Sequence, residues 1–143
     1  MRFPAMIGAV ALALAGSPAA AQTIDFGTDS SQWANDGECD DGRFAGSGMT
    51  TTPLLQEDVM ADATDCRTAF LAGRLQLRGV SGGMVDFGTD SSQWSNDREC
   101  DDMRFEGPGM TTTPLLEDDI MADASDCKLF YDAGQLWLRG VSR

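Results

Sequence analysis

IDFGTDSSQW, residues 24–33, returns as VDFGTDSSQW at residues 85–94, an offset of 85 − 24 = 61 residues. The offset persists, because aligning residues 24–80 with residues 85–141 gives 40 identities and 17 differences over 57 positions. Self-similarity at a fixed period indicates a repeated structural unit. We therefore predict two homologous modules, residues 22–82 and 83–143, joined at Ser81-Gly82-Gly83, where Gly and Ser favour a flexible connection.

Residues 1–21 have the three parts of a secretory signal peptide. Arg2 is the basic start, residues 5–15 are apolar, and Ala19-Ala20-Ala21 has the small side chains that a signal peptidase needs. The apolar part is too short to span a bilayer. We predict a periplasmic or secreted product with no membrane span after signal removal. An uncleaved membrane anchor is the alternative.

The composition excludes several functions. The chain has 23 Asp and Glu against 10 Lys and Arg, a net charge of −13, and no His. A surface this acidic repels phosphate backbones, so nucleic acid is not an expected partner. Without His there is no Ser-His-Asp or Cys-His nucleophile. Paired carboxylates such as Glu38 and Asp65 would need a cleft that a small module scarcely provides, so we expect no enzyme.

Each module has two cysteines, Cys39 with Cys66 and Cys100 with Cys127. Modules of this size gain only marginal stability from burial alone, and an exported chain meets an oxidising compartment. Four cysteines allow three connectivities, but a module that once folded alone could pair only its own two. We predict one structural disulfide in each module. A redox or metal–thiolate role is less supported, because the chain has no Cys-x-x-Cys motif.

Short strands are predicted at both ends of each module. Residues 24–27 open the first module, and residues 75–78 alternate apolar with polar side chains, as in a half-buried strand. We expect these two strands to pair.

Trp33 and Trp94 are assigned to the module cores rather than to a ligand platform, because large aromatic side chains in small modules are usually buried.

Two short helices are predicted between the strands. Residues 54–61 have helical apolar spacing, and a second helix should be capped by Asp62 or Thr64 and end at Gly73. The same elements recur 61 residues later. The predicted fold class is α+β, with two small modules in tandem, each with short strands, one or two short helices and one disulfide.

Acidic side chains are concentrated around the predicted disulfides. Asp36, Glu38 and Asp40 alternate in an irregular segment, and the disulfide would bring them to Asp62 and Asp65. Clustered carboxylates repel one another unless a cation compensates, and Ca²⁺ accepts six to eight oxygen ligands with looser geometry than Mg²⁺. The predicted ligands of one Ca²⁺ per module are Asp36, Glu38, Asp40, Asp41, Asp62, Asp65, Asp97, Glu99, Asp101, Asp102, Asp123 and Asp126. The alternative is that these acids form a solvated surface or helix caps.

This loop resembles a known repeat. The pattern Asn-Asp-Gly-Glu-Cys-Asp at residues 35–40, closed by Asp62-x-x-Asp65-Cys66, is similar to the Notch-type repeat, a small extracellular disulfide module. The resemblance implies one bound Ca²⁺ held by Asp and Asn side chains and loop carbonyls. The full pattern also resembles an uncharacterised tandem repeat of exported bacterial proteins, which implies no activity.

One aromatic residue distinguishes the second module. Trp137 replaces Gln76 between Leu136 and Leu138, at a polar position of the alternation, so it is predicted to face a partner or the sister module. Because duplication of a binding surface raises avidity, we predict an exported, Ca²⁺-stabilised binding protein that recognises a protein or cell-surface partner. The alternative is an ion-independent structural or interaction module, accessory to another exported protein.

Overall fold

The computed structural model describes residues 22–142, and the predicted signal peptide lies outside them. The fold is α+β, with two similar disulfide-bearing units. The elements in chain order are β1 (Phe44–Gly46), a 3-10 turn (Gln56–Asp58), α1 (Ala63–Leu71), β2 (Leu75–Leu77), β3 (Val80–Ser81), β4 (Met84–Val85), β5 (Phe105–Glu106), a 3-10 turn (Glu117–Asp119), α2 (Ala124–Asp132) and β6 (Trp137–Leu138).

Helix α1 lies where the sequence predicts it. It begins after Asp62, and Gly73, with φ of +71°, follows its last turn as expected for a helix stop. The cap comes from a different residue, because Asp62 makes no side-chain cap hydrogen bond. Instead, Asp29 accepts hydrogen bonds from the backbone N–H of Thr64 at 2.7 Å and from its hydroxyl at 2.6 Å.

The helix predicted over residues 54–61 is wrong, since only the 3-10 turn Gln56–Asp58 forms there. Leu55 is extended, with φ of −109° and ψ of 147°. Polar groups of this segment bond to other parts of the chain: the N–H of Leu54 donates to Glu117 of the second module, and Asp58 accepts from Ser31. Tertiary hydrogen bonds therefore replace helical ones.

The predicted pairing of residues 24–27 with residues 75–78 is also wrong. Strand β2 pairs antiparallel with β1, in a register that places Phe44 opposite Leu77. Ile24 instead forms an isolated bridge with Val141, at the end of the second module. The first module is therefore closed by a segment of its sister.

The second module is likewise closed by a segment of the first. The N–H of Asp86 donates to the carbonyl of Gly79 at 2.7 Å, as the N–H of Asp25 donates to that of Gly140 at 2.7 Å. Strands β3 and β4 form a hairpin whose loop, residues 82–83, has φ of +58° and +79°. Positive φ at both loop residues is typical of a type I′ turn. The predicted flexible joint is thus an ordered hairpin.

Each module has its own aromatic core. The rings of Phe26 and Phe44 stack at 5.5 Å, and Phe70 of α1 packs edge-on against both. The second module repeats this arrangement with Phe87, Phe105 and Tyr131. The three rings leave the tryptophans outside, so the assignment of Trp33 and Trp94 to the cores is wrong; their side chains are 44% and 45% exposed.

Both predicted disulfides are confirmed. Cys39 is bonded to Cys66 and Cys100 to Cys127, with Cα atoms 4.6 Å and 4.7 Å apart. All four half-cystines are buried within the two cores. Across residues 22–142, no helix has the length and apolar character needed to cross a membrane.

Candidate metal site

The Cys39–Cys66 disulfide brings two aspartates together. Asp40 follows Cys39 in the acidic loop, and Asp62 precedes α1, one turn before Cys66. The backbone N–H of Asp40 donates to Oδ2 of Asp62 at 2.8 Å, and the two residues are only 2% and 0% exposed. The second module repeats the contact between Asp101 and Asp123 at 2.8 Å.

One oxygen of each of these four carboxylates has no hydrogen-bond partner within residues 22–142. These atoms are Oδ2 of Asp40 and Oδ1 of Asp62, with Oδ2 of Asp101 and Oδ1 of Asp123 in the second module. Burial of a charged oxygen without a partner is costly, so protein structures normally pair such atoms or bind them to a metal ion. Each of these oxygens could therefore bind a cation or carry a proton.

The same aspartates have raised pKa values. Burial raises the pKa of Asp62 to about 7, and the negative charges of Asp65 and Asp40 add to the shift, against the hydrogen bond from the Asp40 N–H. The pKa of Asp123 is raised to about 7 and that of Asp101 to about 6, also first by burial. Each cluster thus resists holding its full negative charge when no cation is bound.

Three further predicted ligands lie at the outer side of the cluster. Asp36 and Glu38 are exposed, and Asp36 accepts a hydrogen bond from the N–H of Glu38 at 3.0 Å. Asp65 is half-buried and accepts the N–H of Gly37 at 3.2 Å, which ties the acidic loop to α1. Their counterparts in the second module are Asp97, Glu99 and Asp126.

Asp41 and Asp102 have a different role from the predicted one. Asp41 forms a buried ion pair with Arg43, at 2.6 Å between Oδ2 and Nη2, and also accepts the N–H of Met60. Its other oxygen accepts hydrogen bonds from the Arg43 side chain and backbone. Both oxygens are therefore in use, and the same is true of Asp102 with Arg104. We exclude these two residues from the ligand set.

The ion pair also links the acidic loop to the other module. Nη1 of Arg43 donates to the carbonyl of Asp25 at 2.9 Å and to that of Arg139 at 3.1 Å. Arg104 makes the equivalent bonds to Asp86 and Arg78. A single arginine side chain thus connects each acidic loop to the backbone of both modules.

Sequence reasoning missed Asp58 and Asp119. Both are buried in the 3-10 turns, and each accepts a hydrogen bond from a serine hydroxyl, Ser31 at 2.5 Å and Ser92 at 2.6 Å. Oδ2 of Asp119 has no partner among the described residues. Burial is the main cause of the raised pKa of Asp40, and the charges of Asp36 and Asp58 add to it, so the cluster extends beyond the predicted loop. The sequence contains no motif that places these turns beside the loop.

Each module also contains a group of three side chains that could hold a metal ion. One ligand atom each of Cys39, Asp62 and Cys66 lies within 4.8 Å of the others, and Cys100, Asp123 and Cys127 form the equivalent group. Because the sulfur atoms are joined in disulfides, they are not thiolates, which are the form of Cys that binds metals. The carboxylate oxygens are the ligands that remain.

Trp137 lies on strand β6, away from the acidic clusters. It is half-buried, and its Nε1–H donates to Oε1 of Glu106 at 3.0 Å. The side chain lines a small cavity of about 30 Å³ together with Tyr131. At the equivalent position of the first module, Gln76 is exposed.

Comparisons of the chain with protein-family models, curated proteins and solved structures find no match.

Proposed function

We propose that this protein is exported, to the periplasm or beyond the cell, and acts as a Ca²⁺-stabilised tandem binding protein in protein or surface recognition. The observation that carries the proposal is the pair of buried carboxylates in each module, Asp40 with Asp62 and Asp101 with Asp123, each with one oxygen that has no hydrogen-bond partner among the described residues. A bound cation would supply the positive charge that these oxygens lack.

The donor set favours Ca²⁺ among the common metal ions. Every side chain that remains available is a carboxylate, and hard cations take oxygen ligands. Asp40 and Asp62 would bind the ion from the buried side. Among the described residues, no three carboxylates have oxygens within 4.8 Å of one another, so loop carbonyls and water would supply the remaining ligands unless Asp36, Glu38 and Asp65 move inward on binding. Mg²⁺ demands stricter octahedral geometry, which an irregular loop is less suited to give. The resemblance to the Notch-type repeat agrees with this choice.

Export and recognition have separate support. Disulfides persist in oxidising compartments, and the chain has one in each module. The chain has no His, so the common nucleophile–base pairs of hydrolases are not available to it. A duplicated binding surface raises avidity for a partner that presents repeated epitopes. A binding role therefore fits the duplication better than catalysis does.

Thermal unfolding of the oxidised protein, residues 22–143, tests the cation. We expect millimolar Ca²⁺ to raise the melting temperature by several degrees over chelator, since a ligand at 100 times its dissociation constant stabilises a site by about 2.7 kcal/mol. Mg²⁺ should have a smaller effect. No rise, or an equal rise with Mg²⁺, would contradict the proposal.

A double variant, Asp62→Asn with Asp123→Asn, tests the site. It should lose the Ca²⁺ response, yet near neutral pH in chelator it should melt above the wild type, because each cluster has lost one repelling charge while the amide oxygen still accepts the Asp40 or Asp101 N–H. The matched control is Asp25→Asn with Asp132→Asn, which removes one exposed charge per module away from the clusters. The control should keep the full response.

The second candidate function replaces the cation with a proton. Because the pKa of Asp62 and that of Asp123 are raised to about 7, a protonated carboxyl could fill the same need near neutral pH. The protein would then be an ion-independent structural or interaction module, accessory to another exported protein. In that case, the melting temperature would respond to pH and remain unchanged by Ca²⁺.

A further inference from the structure

An open groove of about 520 Å³ crosses the boundary between the two modules. The same segment of each module lines it, residues 53–57 from the first and residues 114–118 from the second. In each segment an extended leucine, Leu55 or Leu116, precedes the start of the 3-10 turn, and both parts line the groove. The groove therefore exists only where the two copies meet, and a single copy does not contain it.

Reciprocal hydrogen bonds hold the two sides of the groove together. The N–H of Leu54 donates to Oε2 of Glu117 at 3.1 Å, and the N–H of Leu115 donates to Oε1 of Gln56 at 2.8 Å. Each side is thus fixed by a side chain of the other module. A groove held in this way is formed before any ligand arrives, as small binding sites usually are.

The lining is apolar, and part of it is exposed. The apolar residues are two prolines and four leucines: Pro53, Leu54, Leu55, Pro114, Leu115 and Leu116. Leu54 and Leu115 are buried beneath the groove, whereas Leu55 and Leu116 remain 37% and 46% exposed. Neighbouring exposed leucines on a soluble surface often mark a binding site.

The charge around the groove is negative. Glu57, Glu117 and Asp118 line it, and none of the lining residues is basic. The whole chain has a net charge of −13, which opposes the approach of a second copy at low salt. The surface is therefore complementary to a positively charged ligand with apolar side chains.

We propose that the groove binds a short segment of another protein in which Lys or Arg residues flank apolar side chains. The apolar side chains would contact Leu55 and Leu116, and the basic side chains would face the acids at the rim. This inference rests on the recognition role proposed above and gives it a place on the molecule, but it does not depend on the bound cation.

Fluorescence anisotropy with labelled peptides tests the groove, using the oxidised protein, residues 22–143. The probe is a fluorescein-labelled hexapeptide, Lys-Leu-Pro-Leu-Lys-Gly. Two control peptides replace its lysines with Glu or its leucines with Ser. We expect only the probe to bind, and to bind more weakly as salt screens the acids.

Two variant proteins locate the binding. Leu55→Ser with Leu116→Ser should weaken probe binding about tenfold or more, because apolar area that the peptide covers is lost. The matched control is Leu71→Ser with Leu129→Ser, which changes two exposed leucines, 78% and 59% exposed, outside the groove. This control should bind the probe as the wild type does.

Three results would overturn the inference. The first is no binding of the probe up to about 1 mM, which corresponds to about −4.1 kcal/mol. The second is equal binding by both variants, which would show attraction to the acidic surface in general, and the third is a dimer of the unliganded protein that the groove variant abolishes, which would make a second copy the occupant. A Ca²⁺ response without probe binding would overturn the groove alone. Probe binding without a Ca²⁺ response would support the groove and contradict the cation.

Discussion

The acidic clusters of the two modules are nearly identical, whereas the helices beside them have diverged. The contacts of Asp40 with Asp62 and of Asp101 with Asp123 are both 2.8 Å, and the ion pairs with arginine are both 2.6 Å. In contrast, residues 67–71 of α1 differ at all five positions from residues 128–132 of α2. The two regions are joined by a disulfide in each module.

The difference shows what each region requires. In the helices, Ala69 is replaced by Phe130 and Phe70 by Tyr131, yet the three-ring core keeps its geometry. Apolar packing accepts such changes when the neighbours rearrange. A buried ion pair accepts fewer substitutions, because the loss of one charged side chain leaves the charge of the other uncompensated. Charge pairing therefore constrains the clusters more tightly than packing constrains the helices.

The largest expected effect is on the pH dependence of the cation-free protein. A carboxyl whose folded pKa is about 7, against 3.8 unfolded, stabilises the fold below about pH 4, and this stability is lost as the pH rises to about 7. In chelator, the melting temperature should therefore fall between about pH 4 and pH 7. Saturating Ca²⁺ should reduce this fall, because the ion replaces the proton.

Single variants measure how much each module contributes to this fall in melting temperature. Asp62→Asn and Asp123→Asn should each remove a similar part of the fall in melting temperature, and Asp101, whose pKa is raised to about 6, should account for part of the remainder. Asp132→Asn, at an exposed ion pair, should leave the fall unchanged. Unequal effects of the two cluster variants would show that the modules are not electrostatically equivalent.

The next effect is that of the buried ion pairs. Asp41→Asn leaves Arg43 without its carboxylate at 2% exposure, and should lower the free energy of unfolding by about 3–5 kcal/mol. Asp102→Asn should cost the same, because its hydrogen bonds are the same. Urea unfolding measures both losses. A loss below about 1 kcal/mol, the range of exposed pairs such as Lys128–Asp132, would refute a structural role for the buried pairs.

The smallest expected effect on stability is at the strand position that holds Trp137 in β6 and Gln76 in β2. Trp137→Gln gives the second module the residue of the first and removes both a half-buried ring and the hydrogen bond to Glu106. We expect a loss of about 1–3 kcal/mol. The reverse change, Gln76→Trp, should alter stability by less than about 0.5 kcal/mol, because Gln76 is exposed. If both changes were neutral, Trp137 would not stabilise the fold, and contact with a partner, as its position in the sequence predicts, would remain as its role.

The sequence predicts the local features of this fold well. The disulfide pairing follows from the duplication, and α1 is bounded by residues that commonly flank helices, Asp62 and Gly73. Asp40 and Asp62 come into contact because the disulfide joins the two segments that carry them. These features depend on residues that are near one another in sequence or joined covalently.

Contacts between the modules could not be predicted in the same way. Ile24 has the pattern of a strand, but the pattern does not say which copy supplies its neighbour. Residues 54–61 have helical spacing, yet with bonds to Glu117 and Ser31 they form only the 3-10 turn Gln56–Asp58. Asp41 resembles the other predicted ligands in the sequence, but in the structure its carboxylate forms an ion pair with Arg43. In each case a distant partner overrides the local preference.

The exchange of closing segments makes the hairpin at residues 82–83 more than a connection. Two separate copies that closed one another in this way would form a symmetric dimer, and dilution would dissociate it. The hairpin replaces that encounter with an intramolecular one, at an effective concentration on the order of millimolar for short connections. The association of the modules, and with it the groove between them, is thereby independent of the protein concentration.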